Sequence, residues 1–161
     1  MKNYEDIEII SGSGDLLDRI QPLWEALREY HASQSRHFAA QMRQTPFELR
    51  RKRFARLAET GNLLSEIAWD GPSSADVGYS ISSVESEDGI LWGCMESLYI
   101  APEFRGRQIG VLLTKRSLDW FRSLGCDKIL VSVAEGNEAV FDFYREFGFE
   151  VRYTVMELKQ D

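Results

Sequence analysis

The chain has 161 residues, 43% of them apolar and 12% aromatic, and its 26 acidic and 19 basic residues give a formal net charge of −7. This composition is too apolar for a disordered chain and sufficient for one substantial core, so we expect a single domain over residues 1–161. The acidic charge argues against nucleic acid as a partner, and no apolar run approaches the roughly 20 residues that span a bilayer.

The two cysteines and the N-terminal residues indicate the cellular compartment in which the protein is expected. Cys94 and Cys126 lie in apparent core segments and lack the spacing of metal ligands. The N-terminal residues lack the basic-then-apolar pattern of a secretory leader. We therefore expect a reduced, cytoplasmic protein without a metal. The acidic charge either attracts a cationic small molecule or only keeps the protein soluble.

The first part of the chain predicts one strand and two helices. Residues 5–10 have the pattern of a strand, and the apolar residues from Leu16 to Tyr30 recur at helical spacing. Pro22 interrupts this run, so a helix is expected to start or bend there. Residues 32–45 are polar and aperiodic, which predicts a loop, and a short helix with a basic side follows over 46–59.

The rest of the chain alternates strands and helices. The predicted elements are strands at 63–69, 76–84 and 90–100, a helix at 108–124, a strand at 128–133, a helix at 138–147 and a strand at 149–158. Short connections between the first three strands favour an antiparallel meander. Asn137 is expected to cap the second helix. The order β-α-α-β-β-β-α-β-α-β predicts a mixed α/β sheet with helices on both faces.

The start of the helix at 108–124 is the most informative feature. A basic loop, Arg105–Gly110, opens directly into the helical stripe, and no acid lies within it. Free backbone N–H groups at a helix start, beside arginine side chains, favour phosphate binding. The alternative is an ordinary glycine-containing turn with solvated arginines. A dinucleotide-binding or P-loop motif is excluded because neither consensus is present.

Glu96 is the one acid in an otherwise apolar alternation. Strict period-2 alternation through the strand at 90–100 turns this carboxylate toward the apolar face. Burying an unpaired acid is costly, and a cleft position relieves that cost. Two alternatives remain, namely an acid paired with an arginine, or a bulge that changes the register.

These segments resemble the GNAT superfamily of acetyl-CoA-dependent N-acetyltransferases. Residues Arg105–Gly110 match its signature of Gln or Arg, two free positions, Gly, one free position, then Gly or Ala, except that Gln108 stands where the family usually has Gly. The preceding ESLYIAPEFRG is similar to its strand-to-loop entry, and NEAVFDFYREFGF to its second signature. Gln108 is interpreted as a tolerated variant that a backbone of positive φ would strain.

The resemblance implies a role for each matching residue. It assigns Glu96 to a base or an amine-binding anion, and Tyr144 to the general acid that protonates the departing CoA thiolate, although Tyr144 could equally be a core aromatic. The N–H of Leu98 would stabilise the oxyanion. The implied acetyl-CoA contacts are backbone groups of Leu98, Tyr99 and Ile100, the loop and helix start at Arg105, Gly106, Arg107, Gln108, Ile109, Gly110 and Val111, and the side chain of Asn137.

The function implied is transfer of acetyl from acetyl-CoA to a primary amine of a small, cationic acceptor, by direct attack and with no metal. The alternatives are a non-catalytic CoA-binding regulatory module and an enzyme that acetylates protein N-termini or lysines. His31 and His37 flank a loop that lines the acceptor site in such proteins, and no catalytic role is predicted for either. No nucleic acid or membrane partner is expected, and the last strand could pair across a homodimer.

Overall fold

The computed structural model describes residues 4–159, which form five strands and five α-helices. In chain order these are β1 (Ile7–Gly12), α1 (Leu17–Gln34), α2 (Ala39–Gln44), α3 (Phe47–Glu59), β2 (Leu63–Asp70), β3 (Ala75–Glu87), β4 (Ile90–Ile100), α4 (Ile109–Ser123), β5 (Lys128–Val131) and α5 (Phe141–Arg145). Short 3₁₀ turns precede β1, α1 and α5, and one at Pro102–Phe104 follows β4.

The described residues divide into two compact units. The first contains the residues up to Ala26 together with Pro46–Ser132, and it therefore holds the whole sheet with α3 and α4. The second contains Leu27–Thr45 and the residues from Val133 onward, with α2 and α5. The expectation of one domain over residues 1–161 stays a prediction.

The sheet of the first unit has the order β1-β2-β3-β4-β5. The pairs from β1 to β4 are antiparallel, and for β2 to β4 the short connections predict this; β5 lies parallel to β4. Helices α3 and α4 contact opposite faces, since Arg53 of α3 reaches Glu96 while Arg116 of α4 reaches Glu66. The predicted mixed α/β class is confirmed.

A buried cluster anchors the start of α4 to the sheet. Ile109 and Leu113 of the helix are fully buried against Ala68 of β2 and Val77 of β3, with Leu98 and Ile100 at the margin. Burying such side chains contributes about 1.5–3 kcal/mol each. The cluster therefore fixes the helix start relative to the end of β4.

The observed elements differ from the prediction in three places. Helix α1 continues through Pro22 to Gln34. Proline in its second turn removes one hydrogen bond without ending the helix. The predicted loop at 32–45 also contains the extra helix α2.

The predicted last strand is the third difference. Residues 149–158 form no strand, and within the described residues no strand pairs with them. No helix within the described range, 4–159, has the length and apolar character needed to cross a membrane.

Candidate active site

The start of α4 lies at the end of a loop with two left-handed residues. Gly106 has φ 75° and Gln108, at the N-cap position, has φ 65°. Within residues 4–159, no side chain caps this helix start, and its first turn contains no acid. Leu112 N–H donates to the Gln108 carbonyl at 3.0 Å, so the N–H groups ahead of it have no helical partner. This end of α4 therefore presents free donors and a positive dipole end.

Gln108 adopts the backbone conformation that glycine would adopt freely. A φ of 65° costs a non-glycine residue about 1–2 kcal/mol. The sequence left open whether this position needs a positive φ, and the structure shows that it does. Strain held at one loop residue is common at ligand-binding loops.

Both arginines of this loop contact residues that directly precede it. Arg105 Nε donates to the Ile100 carbonyl at 2.9 Å, and its guanidinium lies 5.7 Å from the centre of the Tyr99 ring. The Arg107 guanidinium lies 4.5 Å from the centre of the Phe104 ring. Cation–π contacts at these distances orient the two positive charges beside the helix start.

The end of β4 separates from β5 just before this loop. The two strands pair only from Trp92↔Lys128 to Met95↔Val131. Residues 98–100 still pair with β3, but among the described residues no strand pairs with their other edge. A strand edge whose backbone groups pair with no other strand can accept an extended ligand as an added strand; at this edge the Ile100 carbonyl accepts a hydrogen bond from Arg105 Nε.

Glu96 occupies a β-bulge in β4. In the register with β3, Ile81 pairs with Ser97 and Ser82 pairs with Met95, so Glu96 has no counterpart. The extra residue changes the faces of the strand. Glu96 points toward α3, whereas Leu98, which strict alternation would place on the same face, packs beside α4. The predicted shared face of Glu96 and Leu98 was therefore wrong, and the alternative of a bulge is correct.

The Glu96 carboxylate is also paired with an arginine. Its side chain is 9% exposed and accepts hydrogen bonds from Arg53 Nη1 at 2.7 Å and Ser83 Oγ at 2.5 Å. The other Arg53 amino group binds Glu85. Burial lowers the pKa of Arg53, but the hydrogen bonds to Glu96 and Glu85 outweigh it and raise that pKa. The sequence left pairing with an arginine open, and the structure identifies Arg53 of α3 as that arginine.

Cys94 lies two residues before Glu96 in β4 and is not a candidate nucleophile. Burial, followed by the nearby negative charge of Glu96, raises the pKa of its thiol to about 12. The thiolate is the reactive form of cysteine, so this side chain stays protonated at neutral pH.

Tyr144 lies in the second unit, on α5. Its ring packs against Phe143 and Phe149, with centroids 5.2 and 5.7 Å apart. Burial raises the pKa of its hydroxyl to about 12. Its side chain is therefore a protonated donor over the whole neutral range, and it is also part of an aromatic core. The alternative of a core aromatic is observed, and the role of a general acid stays a proposal.

Asn137 does not act as the predicted helix cap. It occupies the N-cap position of the turn at Glu138–Val140, but its side chain makes no capping hydrogen bond within the described chain. Its Nδ2 lies instead 3.5 Å from His31 Nε2. Its φ of −103° and ψ of 27° differ from the extended conformation that side-chain capping requires.

These features fit a ligand that carries a diphosphate and an amide-bearing arm. The uncapped, acid-free start of α4 suits the diphosphate, and the free edge of β4 suits the arm. Among residues 4–159, no group of three His, Cys, Asp or Glu side chains is placed to hold a metal ion.

Comparison with known proteins gives a family match over most of the chain. The model of the acetyltransferase (GNAT) family matches residues 24–149. N-alpha-acetyltransferase 30 of Schizosaccharomyces pombe is 37% identical over 59 residues, which cover 37% of this chain and 39% of that protein. The chain thus spans about two fifths of this curated relative.

Solved structures share the fold at low sequence identity. An acetyltransferase of Trypanosoma brucei superposes with a TM-score of 0.69 at 19% identity, covering 96% of this chain and 100% of that chain. The aminoglycoside N-acetyltransferase AAC(6')-Iy, solved in complex with CoA, superposes with a TM-score of 0.66 at 17% identity, covering 96% and 94%.

Proposed function

Because the chain belongs to the acetyltransferase (GNAT) family, a family of acyltransferases, we propose that it transfers an acetyl group from acetyl-CoA to a primary amine. The observation that carries this proposal is the uncapped start of α4, with left-handed residues at Gly106 and Gln108, directly after a strand edge left free by β5. The structure of AAC(6')-Iy with CoA supports the choice of cofactor.

In this proposal the first unit holds acetyl-CoA, which supplies the activated acetyl group. Backbone N–H groups at the start of α4 bind the diphosphate, and Arg105 and Arg107 add positive charge. The free edge of β4 pairs with the amides of the pantetheine arm. The residues proposed for these contacts are Leu98, Tyr99, Ile100, Arg105, Gly106, Arg107, Gln108, Ile109, Gly110 and Val111, with Asn137 from the second unit.

Three groups of the chain serve the transfer itself. The amine nitrogen bonds to the thioester carbonyl carbon and the carbon–sulfur bond breaks, while the N–H of Leu98 stabilises the oxyanion. Glu96 binds the ammonium and accepts its proton, directly or through water. Tyr144 donates its hydroxyl proton to the departing sulfur and regains a proton from the nitrogen of the intermediate, directly or through water.

The proposed acceptor is a small cationic amine. The net charge of −7 and the carboxylate of Glu96 favour a cation. The neighbours that are aminoglycoside acetyltransferases support a small-molecule amine. The N-terminal amine of a protein is the second candidate, because the curated relative is an N-alpha-acetyltransferase.

The test combines CoA binding with turnover. We expect calorimetry to detect binding of acetyl-CoA, and a thiol-reactive dye to detect CoA release with at least one member of a panel of polyamines, aminoglycosides, amino acids and peptides. Binding without release for any amine would favour the non-catalytic CoA-binding module. Absence of binding to folded protein would refute the proposal.

Glu96→Gln is expected to lower kcat/KM for the amine about ten-fold, because about 1.4 kcal/mol of ionic attraction is lost. The amide keeps the size of the side chain and can still accept the Ser83 hydrogen bond. A raised KM in Glu96→Gln would indicate that Glu96 binds the ammonium as an anion, and a lowered kcat would indicate that Glu96 acts as a base.

Glu85→Gln is the matched control, because Glu85 binds the same guanidinium of Arg53 and is 44% exposed. We expect this variant to stay within about two-fold of the wild type. Equal losses in both variants would assign the effect to release of Arg53 and not to the acceptor.

The expected homodimer also stays a proposal, supported by the C-terminal segment. Five large apolar side chains of this segment are 58–93% exposed, at Val151, Tyr153, Val155, Met156 and Leu158. Exposed apolar residues at alternate positions favour pairing with another strand. We expect light scattering to give twice the mass of one chain.

Val155→Asp tests that assembly, because it places a charge within the exposed apolar segment. We expect this variant to be monomeric, whereas Leu49→Asp, at an apolar residue of α3 that is 60% exposed, should leave the dimer intact. A wild-type monomer, or a dimeric Val155→Asp variant, would exclude pairing through this segment.

A further inference from the structure

Two loops of the second unit are joined by a compact set of polar contacts, centred on Glu135. The first loop, residues 35–38, connects α1 to α2, and the second, residues 133–137, precedes the turn before α5. The Glu135 carboxylate accepts hydrogen bonds from Ser35 Oγ at 2.6 Å and from Arg36 N–H at 2.9 Å, and lies 3.0 Å from Arg36 Nε. Both carboxylate oxygens are used, so one side chain of the second loop holds three groups of the first.

The backbones of the two loops also approach closely. Gly136 has φ 91°, and a Cβ at this position would lie 2.1 Å from the carbonyl oxygen of Gln34. No side chain fits at that distance, so the contact requires glycine. The polar contacts of Glu135 therefore act on two segments that already touch.

Asn137 follows directly and contacts the end of α1. Its Nδ2 lies 3.5 Å from His31 Nε2. Burial lowers the pKa of His31, so its ring is neutral and can accept this weak hydrogen bond. Asn137 thus contacts the last turn of α1, directly before the loop that Glu135 holds, and its side chain makes no capping hydrogen bond within the described chain.

We propose that Glu135 is a positioning residue that couples the loop between α1 and α2 to the CoA-binding side chain of Asn137. This inference rests on the proposed function, which assigns Asn137 to the pantetheine arm. The Ser35 hydroxyl that donates to Glu135 also accepts the N–H of Phe38 at the start of α2. A ligand that orders Asn137 therefore also orders the first turn of α2.

Amide hydrogen exchange of the full chain, with and without saturating CoA, tests the coupling. In the wild type we expect CoA to slow exchange both in peptides covering residues 133–145 and in peptides covering residues 35–42. Slowing confined to residues 133–145 would overturn the inference. Slowing in neither region, together with absence of binding by calorimetry, would instead refute the proposed function, and the inference with it.

Three variants separate coupling from a general structural role. Glu135→Ala should keep CoA-induced slowing at 133–145, lose it at 35–42, and raise the Kd for CoA about five-fold. Glu135→Gln, which still accepts hydrogen bonds, should restore most of the slowing at 35–42. Glu29→Ala is the matched control, because it removes an exposed carboxylate of α1 that binds Arg43 of α2 at 2.9 Å, outside the two loops, and it should behave as the wild type. Retained slowing at 35–42 in Glu135→Ala would also overturn the inference.

Discussion

Gln108→Asp is expected to bind CoA about 30-fold more weakly than Gln108→Asn, a difference of about 2 kcal/mol. Both side chains tolerate the left-handed conformation that Gln108 adopts at φ 65° better than glutamine does. They differ only in charge. In the proposed complex that charge lies beside a diphosphate held by the backbone N–H groups at the start of α4.

The same pair of variants should show the opposite order in stability. A negative charge at a helix start stabilises the helix by about 0.3–1 kcal/mol, because it opposes the positive end of the dipole. We therefore expect Gln108→Asp to unfold at the same denaturant concentration as Gln108→Asn, or at a higher one. Weaker binding by a variant that is no less stable cannot result from misfolding.

Calorimetry at low and high salt provides the measurement. The difference in Kd between the two variants should shrink in about 1 M salt, where charges are screened within about 3 Å. Equal Kd values at low salt would place the diphosphate away from the start of α4 and remove the main support of the proposed function.

The local features of the first unit could largely be predicted from the sequence. The start of α4 depends on short-range rules, since glycine at position 106, a basic loop and the buried stripe at Ile109 and Leu113 all act within a few residues. The meander from β2 to β4 follows from short turns. These elements could be predicted because the interactions that form them lie between residues close together in the sequence.

The sequence left a bulge at Glu96 open but could not select it, because one inserted residue leaves no mark in the alternation itself. The register shifts opposite Ile81 and Ser82 of β3, and pairing between two strands is not visible in the pattern of either strand alone. The pairing of Glu96 with Arg53 depends in turn on where α3 packs. Both results require the tertiary structure.

Two predictions, the Asn137 cap and the last strand, were wrong because each needed an interaction that the local sequence pattern does not guarantee. Asn137 lies at a helix start, but its backbone is not extended, and its amide contacts His31. Residues 149–158 have the composition of a strand. Whether they form one depends on a neighbouring strand to hydrogen-bond with, and the composition of the segment does not supply that. A second strand is needed, and the described chain does not provide one.

Tyr144→Phe is expected to lower kcat about 100-fold, at the lower end of the range for general acid catalysis, while the KM for acetyl-CoA changes less than about two-fold. Phenylalanine keeps the ring contacts with Phe143 and Phe149, so the aromatic core of the second unit should be preserved. Only the proton donor is lost.

The pH profile provides an independent check. Since the pKa of Tyr144 is raised to about 12 by burial, its hydroxyl remains protonated far above neutral pH. Wild-type turnover should therefore show no loss from tyrosine ionisation below about pH 11. A falling limb near pH 10 that vanishes in Tyr144→Phe would show that the hydroxyl titrates as an exposed phenol.

Tyr153→Phe is the matched control, because Tyr153 is 69% exposed and has no proposed role in catalysis. Its kcat should equal that of the wild type in the thiol-release assay with the best amine of the panel. If Tyr144→Phe also turned over at the wild-type rate, the proton for the sulfur would come from elsewhere, and Tyr144 would be an aromatic core residue only. A loss confined to Tyr144→Phe, with unchanged binding of acetyl-CoA, is the result that a general acid requires, because such a group acts on the departing sulfur and not on the bound ground state.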